Sequence, residues 1–450
     1  METGGQTVEQ SSPPQPPPRR AGRTERFRSS RFSGLAADAA DNLRDPARVT
    51  LLVLLAALVL RVVWLNLPGR GLIFDEAFYV NAARVILGWP ASAHYVDSPI
   101  GLDPNTEHPP LGKLLMVASM SVLGDNGIGW RLPSVIAGMV ALLVVYRIVR
   151  DTDRSPWLAV LVVGLLSLDN LTFVHGRIGT LDMLVLAPML VGSWLALRRR
   201  WLLAGVAMGI ALLIKLTAVY GIGAVVLFVL LREGPDWWRR RRLPVRDLVG
   251  PLAFALVAVA VFMVGLAVLD ARYTTFASPL DHISRMLSYG ASLNAPPTVG
   301  YCPEADSKPW QWLFNECQIQ YLRVDATVRA GNKVVGSVAR IDFRGALNPL
   351  LVGAIPLAAL FTAWYAWRTR SQLAMWTVAW AAANYLPYLA LALFTKRIMY
   401  LYYVLPLVPA VAVGVALLLL RGGLPRPIRW GFLVAYIVGF AAYFPFRQIP

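Results

Sequence analysis

Long apolar runs alternate with two kinds of short polar gap along the chain from Thr50 to Phe444. The runs are about 15–22 residues long, close to the roughly 20 residues that a membrane-spanning helix needs. Every second gap carries a cluster of arginines: Arg147/Arg150/Arg154, Arg198–Arg200, Arg232 with Arg239–Arg242, Arg368/Arg370, and Arg421/Arg426. Because short cytoplasmic loops collect Lys and Arg, these clusters predict which ends of the runs face the cytoplasm.

The alternation predicts an all-α integral membrane protein with about eleven transmembrane helices. The expected spans are about 49–67, 131–149, 156–174, 180–197, 201–215, 217–232, 249–269, 348–367, 373–394, 398–420 and 428–445. The apolar segment 111–124 is short for a span, and a crossing there would move every later arginine cluster to the outside. It is therefore expected to lie on the outer surface as a juxtamembrane helix.

Composition supports this class and organises the chain into segments. The sequence has 450 residues, of which 56% are hydrophobic and 15% charged, which excludes an ordinary soluble domain. The net charge of +17 is concentrated beside apolar runs, so nucleic-acid binding is not expected. Residues 1–48 read as a disordered, Pro/Arg-rich cytoplasmic tail. A transmembrane module at 49–269 carries an outer loop at 68–130, a second outer loop covers 270–347, and a second transmembrane module covers 348–450.

Two neighbouring acids follow the first span at the opposite face. Asp75 and Glu76 lie just past it, where a carboxylate in a suitable environment can act as a general base. The alternative is a pair of solvated loop acids. A third acid, Asp182, lies five positions after Arg177, and those two side chains could simply pair with each other.

Isolated cations and tyrosines fall at the same face. Lys215 interrupts an apolar run, and Lys396-Arg397 precedes Tyr402 and Tyr403. Each cation could snorkel to the interface. Together with Arg177 and the acidic pair, however, they are better explained by a phosphate-bearing lipid, because Arg and Lys neutralise phosphate oxygens and tyrosines suit the membrane interface.

Cys302 and Cys317 are the only cysteines, and both lie in the second outer loop. In an oxidising compartment they could close a loop by a disulfide, the alternative being two unpaired thiols. A structural zinc site is not expected, since His282 is the only histidine nearby and such a site needs four ligands.

Several motifs resemble those of the bacterial protein O-mannosyltransferases, a family with the GT-C fold. Asp75-Glu76 followed by His108-Pro-Pro-Leu-Gly-Lys113 is similar to the family's first outer loop. The segment from His175 to Asp182 resembles its Arg-x-x-x-Leu-Asp element, Ser307-Lys-Pro-Trp310 a bacterial motif, and the segment from Lys396 to Tyr403 its late span. The resemblance covers roughly residues 50–450. The chain departs from the family in having Gly176 where a serine is common.

The resemblance implies an inverting glycosyltransferase that moves mannose from polyprenyl-phosphate mannose to Ser or Thr of exported proteins. Asp75 would then be the base and Glu76 would orient sugar or acceptor. The leaving phosphate would be stabilised by Arg177, Lys215 and Arg397 and held by Tyr402 and Tyr403. His108, Lys113 and Asp182 would contact substrate or acceptor. No metal ligands are expected, although acids at the site leave room for a divalent ion.

Two alternatives remain open at this point. A related GT-C enzyme could transfer another sugar to a lipid or glycan, using the same core chemistry. A transporter or flippase would instead favour ionisable groups near mid-membrane and pseudo-repeats between halves, and the sequence shows neither. The expected location is the cell membrane, with a cytoplasmic N-terminus and an extracytoplasmic site. The expected partners are the lipid donor, membrane lipids and the exported acceptor, with the secretion translocon as a further candidate.

Overall fold

The computed structural model describes residues 44–241, 245–295, 301–330 and 333–448, so most of the expected N-terminal tail lies outside the described residues. Within these ranges the chain is mostly helical, with one β-hairpin. In chain order the helices are α1 (Pro46–Val62), α2 (Glu76–Leu87), α3 (Leu111–Leu123), α4 (Gly127–Thr152), α5 (Pro156–Ser167), α6 (Asn170–His175), α7 (Leu181–Leu197), α8 (Trp201–Leu212), α9 (Val219–Arg240), α10 (Val245–Tyr273), α11 (Pro279–Ser292), α12 (Pro309–Trp312), α13 (Pro349–Thr369), α14 (Gln372–Phe394), α15 (Val408–Arg421) and α16 (Arg426–Ala442).

Six helical segments of the described chain are long and apolar enough to cross a membrane. They are Gly127–Thr152, Leu216–Arg240, Asp247–Tyr273, Pro349–Thr369, Gln372–Phe394 and Leu401–Arg421. Shorter apolar helices, among them α5, α7 and α8, accompany these six. The prediction of a multi-pass membrane protein is confirmed, whereas the number eleven stays a prediction. Helix α3 has 13 residues, about 20 Å of helix, and is too short for a hydrocarbon core of about 30 Å.

Close packing of α8 against α10 depends on two glycines one turn apart. A Cβ at Gly205 would lie 2.7 Å from the Phe254 carbonyl oxygen, and one at Gly209 would lie 2.6 Å from Val261 Cβ. Gly205 and Gly209 therefore form a small-xxx-small motif that lets the two backbones approach. This contact joins α8, which also packs on α7, to the long helix that leads into the second loop.

A buried polar joint ties α6 to α13 and α16. Asp169 caps α6 by accepting from the Thr172 N–H at 2.9 Å, and its other oxygen accepts from the Asn348 N–H at 2.9 Å. The Asn348 side chain in turn donates to the Tyr436 carbonyl at 2.9 Å, and it caps α13 by accepting from the Leu350 N–H. Because Asp169, Thr172, Asn348 and Tyr436 are all buried, the joint fixes how α6, α13 and α16 meet.

The second loop contains a β-hairpin that was not expected from the sequence. Strands β1 (Ile319–Ala330) and β2 (Lys333–Gly345) pair antiparallel, with Tyr321 and Phe343 buried at the base and most side chains toward the tip exposed. Cys302 and Cys317 are joined by a disulfide just before the hairpin. Between them, Asp306 accepts from the Met399 N–H at 2.9 Å, which fastens the loop to the segment that carries Arg397 and Tyr402.

Candidate active site

Asp75 lies at the start of α2 with a half-buried side chain. That side chain makes no hydrogen bond or ion pair with any residue the structure describes. Burial raises the pKa of Asp75 to about 7; the Asp182 carboxylate adds to the rise and the Lys215 ammonium opposes it. Asp75 is therefore a free carboxyl group whose pKa suits proton transfer near neutrality.

Lys215 and Asp182 form a buried ion pair beside Asp75. Lys215 Nζ donates to Asp182 Oδ1 at 2.8 Å, and the other oxygen of Asp182 lies 3.7 Å from His175 Nδ1. Lys215 Nζ also lies 5.8 Å from the centre of the Tyr402 ring. The partner of Asp182 is thus Lys215, 33 positions away, and not the sequence neighbour Arg177.

Glu76 is buried and fully engaged inside the protein. Its two oxygens accept from Arg131 at 2.7 and 2.9 Å, from the Ile73 N–H at 2.7 Å and from the Gly179 N–H at 2.7 Å. These contacts tie the turn before α2 to α4 and to the turn before α7. No lone pair is left over for a substrate, so the geometry favours a structural role for Glu76 over direct contact with sugar or acceptor.

Arg177 is engaged by the end of α1. Its guanidinium donates to the carbonyl oxygens of Leu60 at 3.2 Å and Val63 at 3.0 Å, at the end of α1. It lies 5.0 Å from the ring centre of Phe446. These contacts satisfy carbonyls that the helix leaves open, and they place Arg177 outside the group of cations around Asp75.

Lys113 supports the first loop in a similar way. Its ammonium is fully buried, pairs with Asp103 Oδ2 at 2.6 Å and donates to the carbonyl oxygens of Asn105 and His108. His108 is half-buried and packs 6.1 Å from the Tyr79 ring. Burial lowers the pKa of His108 well below its ordinary value, and the charges of Lys215, Lys113 and Arg397 lower it further. Neutral His108 thus lies near the cations of the site, whereas the Lys113 ammonium is engaged by Asp103 and two carbonyl oxygens.

The segment from Lys396 to Tyr403 carries three of the residues that are expected to bind the donor. The Arg397 guanidinium is half-buried and donates to the Gly290 carbonyl oxygen, its only side-chain hydrogen bond with the described part of the chain. Tyr402 and Tyr403 meet edge to face at 4.9 Å, and neither hydroxyl is hydrogen-bonded to another described residue. Arg397, Tyr402 and Tyr403 therefore keep polar groups available at one end of the bundle.

Three residues that the sequence did not single out, Arg131, Phe74 and Tyr321, complete the site. Arg131 holds Glu76, and Phe74 stacks on Tyr321 with ring centres 4.1 Å apart. The hydroxyl of Tyr321 lies 2.8 Å from His175 Nε2. A signal for the hairpin was present, because the dipeptide Gly331-Asn332 separates two runs rich in Val, Thr and Ile. Across the described ranges, no group of three His, Cys, Asp or Glu side chains is arranged to hold a metal ion.

Parts of the chain are similar in sequence to known mannosyltransferases. The family described as dolichyl-phosphate-mannose–protein mannosyltransferase matches residues 107–266. A polyprenol-phosphate-mannose–protein mannosyltransferase of Corynebacterium glutamicum is 24% identical over 414 residues, covering 77% of this chain and 76% of that protein. One from Mycobacterium tuberculosis is 36% identical over 136 residues, 30% of this chain and 25% of that protein.

Solved membrane glycosyltransferases share the fold. ArnT from Cupriavidus metallidurans, bound to undecaprenyl phosphate, has a TM-score of 0.53 at 20% identity over 88% of this chain, which spans 63% of the ArnT chain. The protein O-mannosyltransferase complex of S. cerevisiae, bound to the sugar donor, has a TM-score of 0.63 at 11% identity, covering 89% of this chain and 90% of that chain. The chain thus has the GT-C fold, and in sequence it resembles the polyprenol-phosphate-mannose–protein mannosyltransferases.

Proposed function

We propose that this protein transfers mannose from polyprenyl-phosphate mannose to Ser or Thr hydroxyls of exported proteins. The observation that carries the proposal is the free, half-buried Asp75 carboxyl group next to the Lys215–Asp182 pair. Relatives that match most of the chain are named as mannosyltransferases of this type, which supports the choice of sugar, donor and acceptor.

The reaction is a single displacement at the anomeric carbon, with inversion. The acceptor hydroxyl oxygen forms a bond to that carbon while its proton passes to the Asp75 carboxylate. The bond between the anomeric carbon and the phosphate oxygen breaks, and the oxygen leaves with the bonding electrons as part of polyprenyl phosphate. Because a carboxyl group with a pKa near 7 is half ionised at neutral pH, Asp75 can accept the proton without an extreme pH.

The cations of the site stabilise the negative charge that develops on the leaving phosphate. Arg397 has free guanidinium donors, and Lys215 carries a positive charge held in place by Asp182. Hydroxyls of Tyr402 and Tyr403 are available to donate to phosphate oxygens. Such preorganised donors stabilise a growing negative charge without reorganising during the reaction. A divalent ion is not required by this arrangement.

Orientation in the membrane follows from the arginine clusters. The proposal places the N-terminus in the cytoplasm and Asp75 at the extracytoplasmic face, because the arginine-rich loops fall at the opposite ends of the spans. At that face the enzyme would meet unfolded acceptors as they leave the secretion translocon.

A transfer assay with labelled donor tests this function. Membranes containing the protein receive polyprenyl-phosphate [¹⁴C]mannose and an exported Ser/Thr-rich polypeptide, with the Asp75→Asn protein as the matched control. Label is expected in the polypeptide, in an α- or β-linkage opposite to that of the donor. Label that enters only lipid or glycan would favour the related GT-C transferase, and donor that crosses the bilayer unchanged would favour a flippase; either result overturns the proposal.

A further inference from the structure

We propose that Tyr321, at the base of the hairpin, is a positioning residue that holds Asp75 in place through the ring of Phe74 and links the second loop to the Asp182–Lys215 pair through His175. This inference rests on the proposed function, since it assigns a role in the same reaction.

The backbone immediately before Asp75 needs outside support. Phe74 has a φ of 55°, in the left-handed region that L-residues with bulky side chains rarely adopt. Asp75 follows at φ −64° and is the N-cap residue of α2. If the backbone at Phe74 relaxed, the position of the Asp75 carboxyl group relative to Lys215 would change. The placement of the base therefore depends on the contacts that hold Phe74.

Two aromatic rings from distant parts of the chain hold it. Tyr321 stacks on Phe74 with ring centres 4.1 Å apart and planes 18° from parallel. Tyr402 meets the ring of Phe74 edge-on at 5.2 Å. Left-handed backbone in a non-glycine residue persists only where the surroundings fix it, and such residues cluster at functional sites.

A bulge in β1 aims the ring of Tyr321. Gln320 pairs with Arg344 and Leu322 pairs with Phe343, so Tyr321 is the extra residue between them and has no partner on β2. Bulges next to active sites redirect side chains in this way. Gly345 leaves the room that the ring occupies, because a Cβ there would lie 2.4 Å from the Tyr321 hydroxyl.

The hydroxyl of Tyr321 extends the contact to the charged pair. It lies 2.8 Å from His175 Nε2, while His175 Nδ1 faces the Thr180 hydroxyl at 3.2 Å and Asp182 Oδ2 at 3.7 Å. A proton on Nδ1 suits those two oxygens, so Tyr321 donates to Nε2. The hairpin is thereby connected to the carboxylate that orients Lys215.

If Tyr321 were merely structural, it would stabilise the hairpin without affecting the ionisation of Asp75. The ionisation of Asp75 therefore distinguishes a positioning role from a structural one. Carbodiimide modifies protonated carboxyl groups, so mass spectrometry of the Asp75 peptide across pH gives its midpoint of protonation without any donor. The groups that face Asp75 are Asp182, Lys215 and the tyrosine hydroxyls of residues 79, 289, 321 and 402. The same full-length proteins are then assayed for kcat and for KM of polyprenyl-phosphate mannose.

Removing the ring should alter both readouts. In Tyr321→Leu the midpoint is expected to fall by about one pH unit as water reaches the carboxyl group, and kcat to fall roughly 10- to 100-fold because the base is misplaced. The KM for the donor should change less than about twofold, since such a loss concerns the transition state. Tyr321→Phe keeps the stack and should retain the midpoint. Val328→Leu, on the exposed part of the same strand, is the matched control and should leave both values unchanged.

Each outcome separates the two hypotheses. An unchanged midpoint and kcat in Tyr321→Leu would overturn the positioning role. A shifted midpoint in a protein whose wild type moves no mannose to polypeptide would reject the proposed function and keep the positioning role. Should Tyr321→Leu fail to fold, Gly345→Ala displaces the ring by crowding, and the same downward shift of the midpoint is expected there; a wild-type midpoint would again overturn the inference.

Discussion

Replacing Glu76 by glutamine should reduce stability more than catalysis. Each carboxylate oxygen accepts two hydrogen bonds: one oxygen from Arg131 Nε and the Gly179 N–H, the other from Arg131 Nη2 and the Ile73 N–H. Glutamine supplies one oxygen and one NH₂ group. In either orientation that NH₂ faces two donors, and Arg131 loses its negative partner.

The expected cost follows from this geometry. Breaking a buried ion pair by removing one partner costs about 3–5 kcal/mol. The matched control is Glu233→Gln, which breaks the half-exposed pair with Arg199 at 3.0 Å and should cost under about 1 kcal/mol. The free energy of unfolding is measured by titrating purified protein in mixed micelles with SDS. In the double variant Glu76→Gln/Arg131→Met, the loss should be smaller than the sum of the single losses by at least about 1 kcal/mol.

Substrate binding by the Glu76→Gln protein can refute the structural role of Glu76. The protein that remains folded in Glu76→Gln should bind donor with normal affinity, because Glu76 has no free lone pair to offer. A variant with wild-type stability but strongly weakened donor or acceptor binding would show that Glu76 contacts substrate, and the structural assignment would be wrong.

Three further predictions concern the phosphate site, the helix packing and the topology. Lys215→Met and Arg397→Met should each weaken donor binding by about 1.5–3 kcal/mol, and their effects should be non-additive because both cations serve one phosphate; additive losses in a double-mutant cycle would separate them. Gly209→Leu should lower the melting temperature, since its side chain cannot fit against α10; an unchanged melting temperature would contradict the packing. Cysteine at Ala77 should react with an impermeant thiol reagent from outside and cysteine at Arg240 should not; the reverse would invert the topology.

The membrane class could be predicted from the sequence, whereas the partners of the site's side chains could not. Apolar runs and arginine clusters are periodic and local, so the membrane fold could be read from them. The partners of Lys215 and Lys113 could not. Lys215 is expected from the sequence to bind phosphate, but it pairs with Asp182, 33 positions away. Lys113 is expected to contact substrate or acceptor, but it pairs with Asp103. Arg177 was assigned to the phosphate on its position at a span end, whereas in the structure it donates to backbone carbonyls, which leave no sequence signal.

The hairpin differs from these partners because it has a local sequence signal. That signal lies inside a polar loop of 78 residues, whose charges and cysteines do not indicate strands. The contact of Tyr321 with Phe74 has no sequence signal, because it joins the hairpin base to a distant residue next to Asp75.

The most direct test of the central claim compares the Asp75→Asn protein with wild type in one preparation. Transfer of labelled mannose to polypeptide should fall by a factor on the order of 10²–10⁴, because asparagine cannot accept the hydroxyl proton. Donor binding should be unchanged. Since burial raises the pKa of Asp75 to about 7, the wild type loses stability as pH rises from about 4 towards 7. The asparagine variant should therefore be at least as stable as wild type at pH 8. Near-normal transfer by Asp75→Asn, in protein that binds donor and is fully folded, would contradict the role of Asp75 as the base.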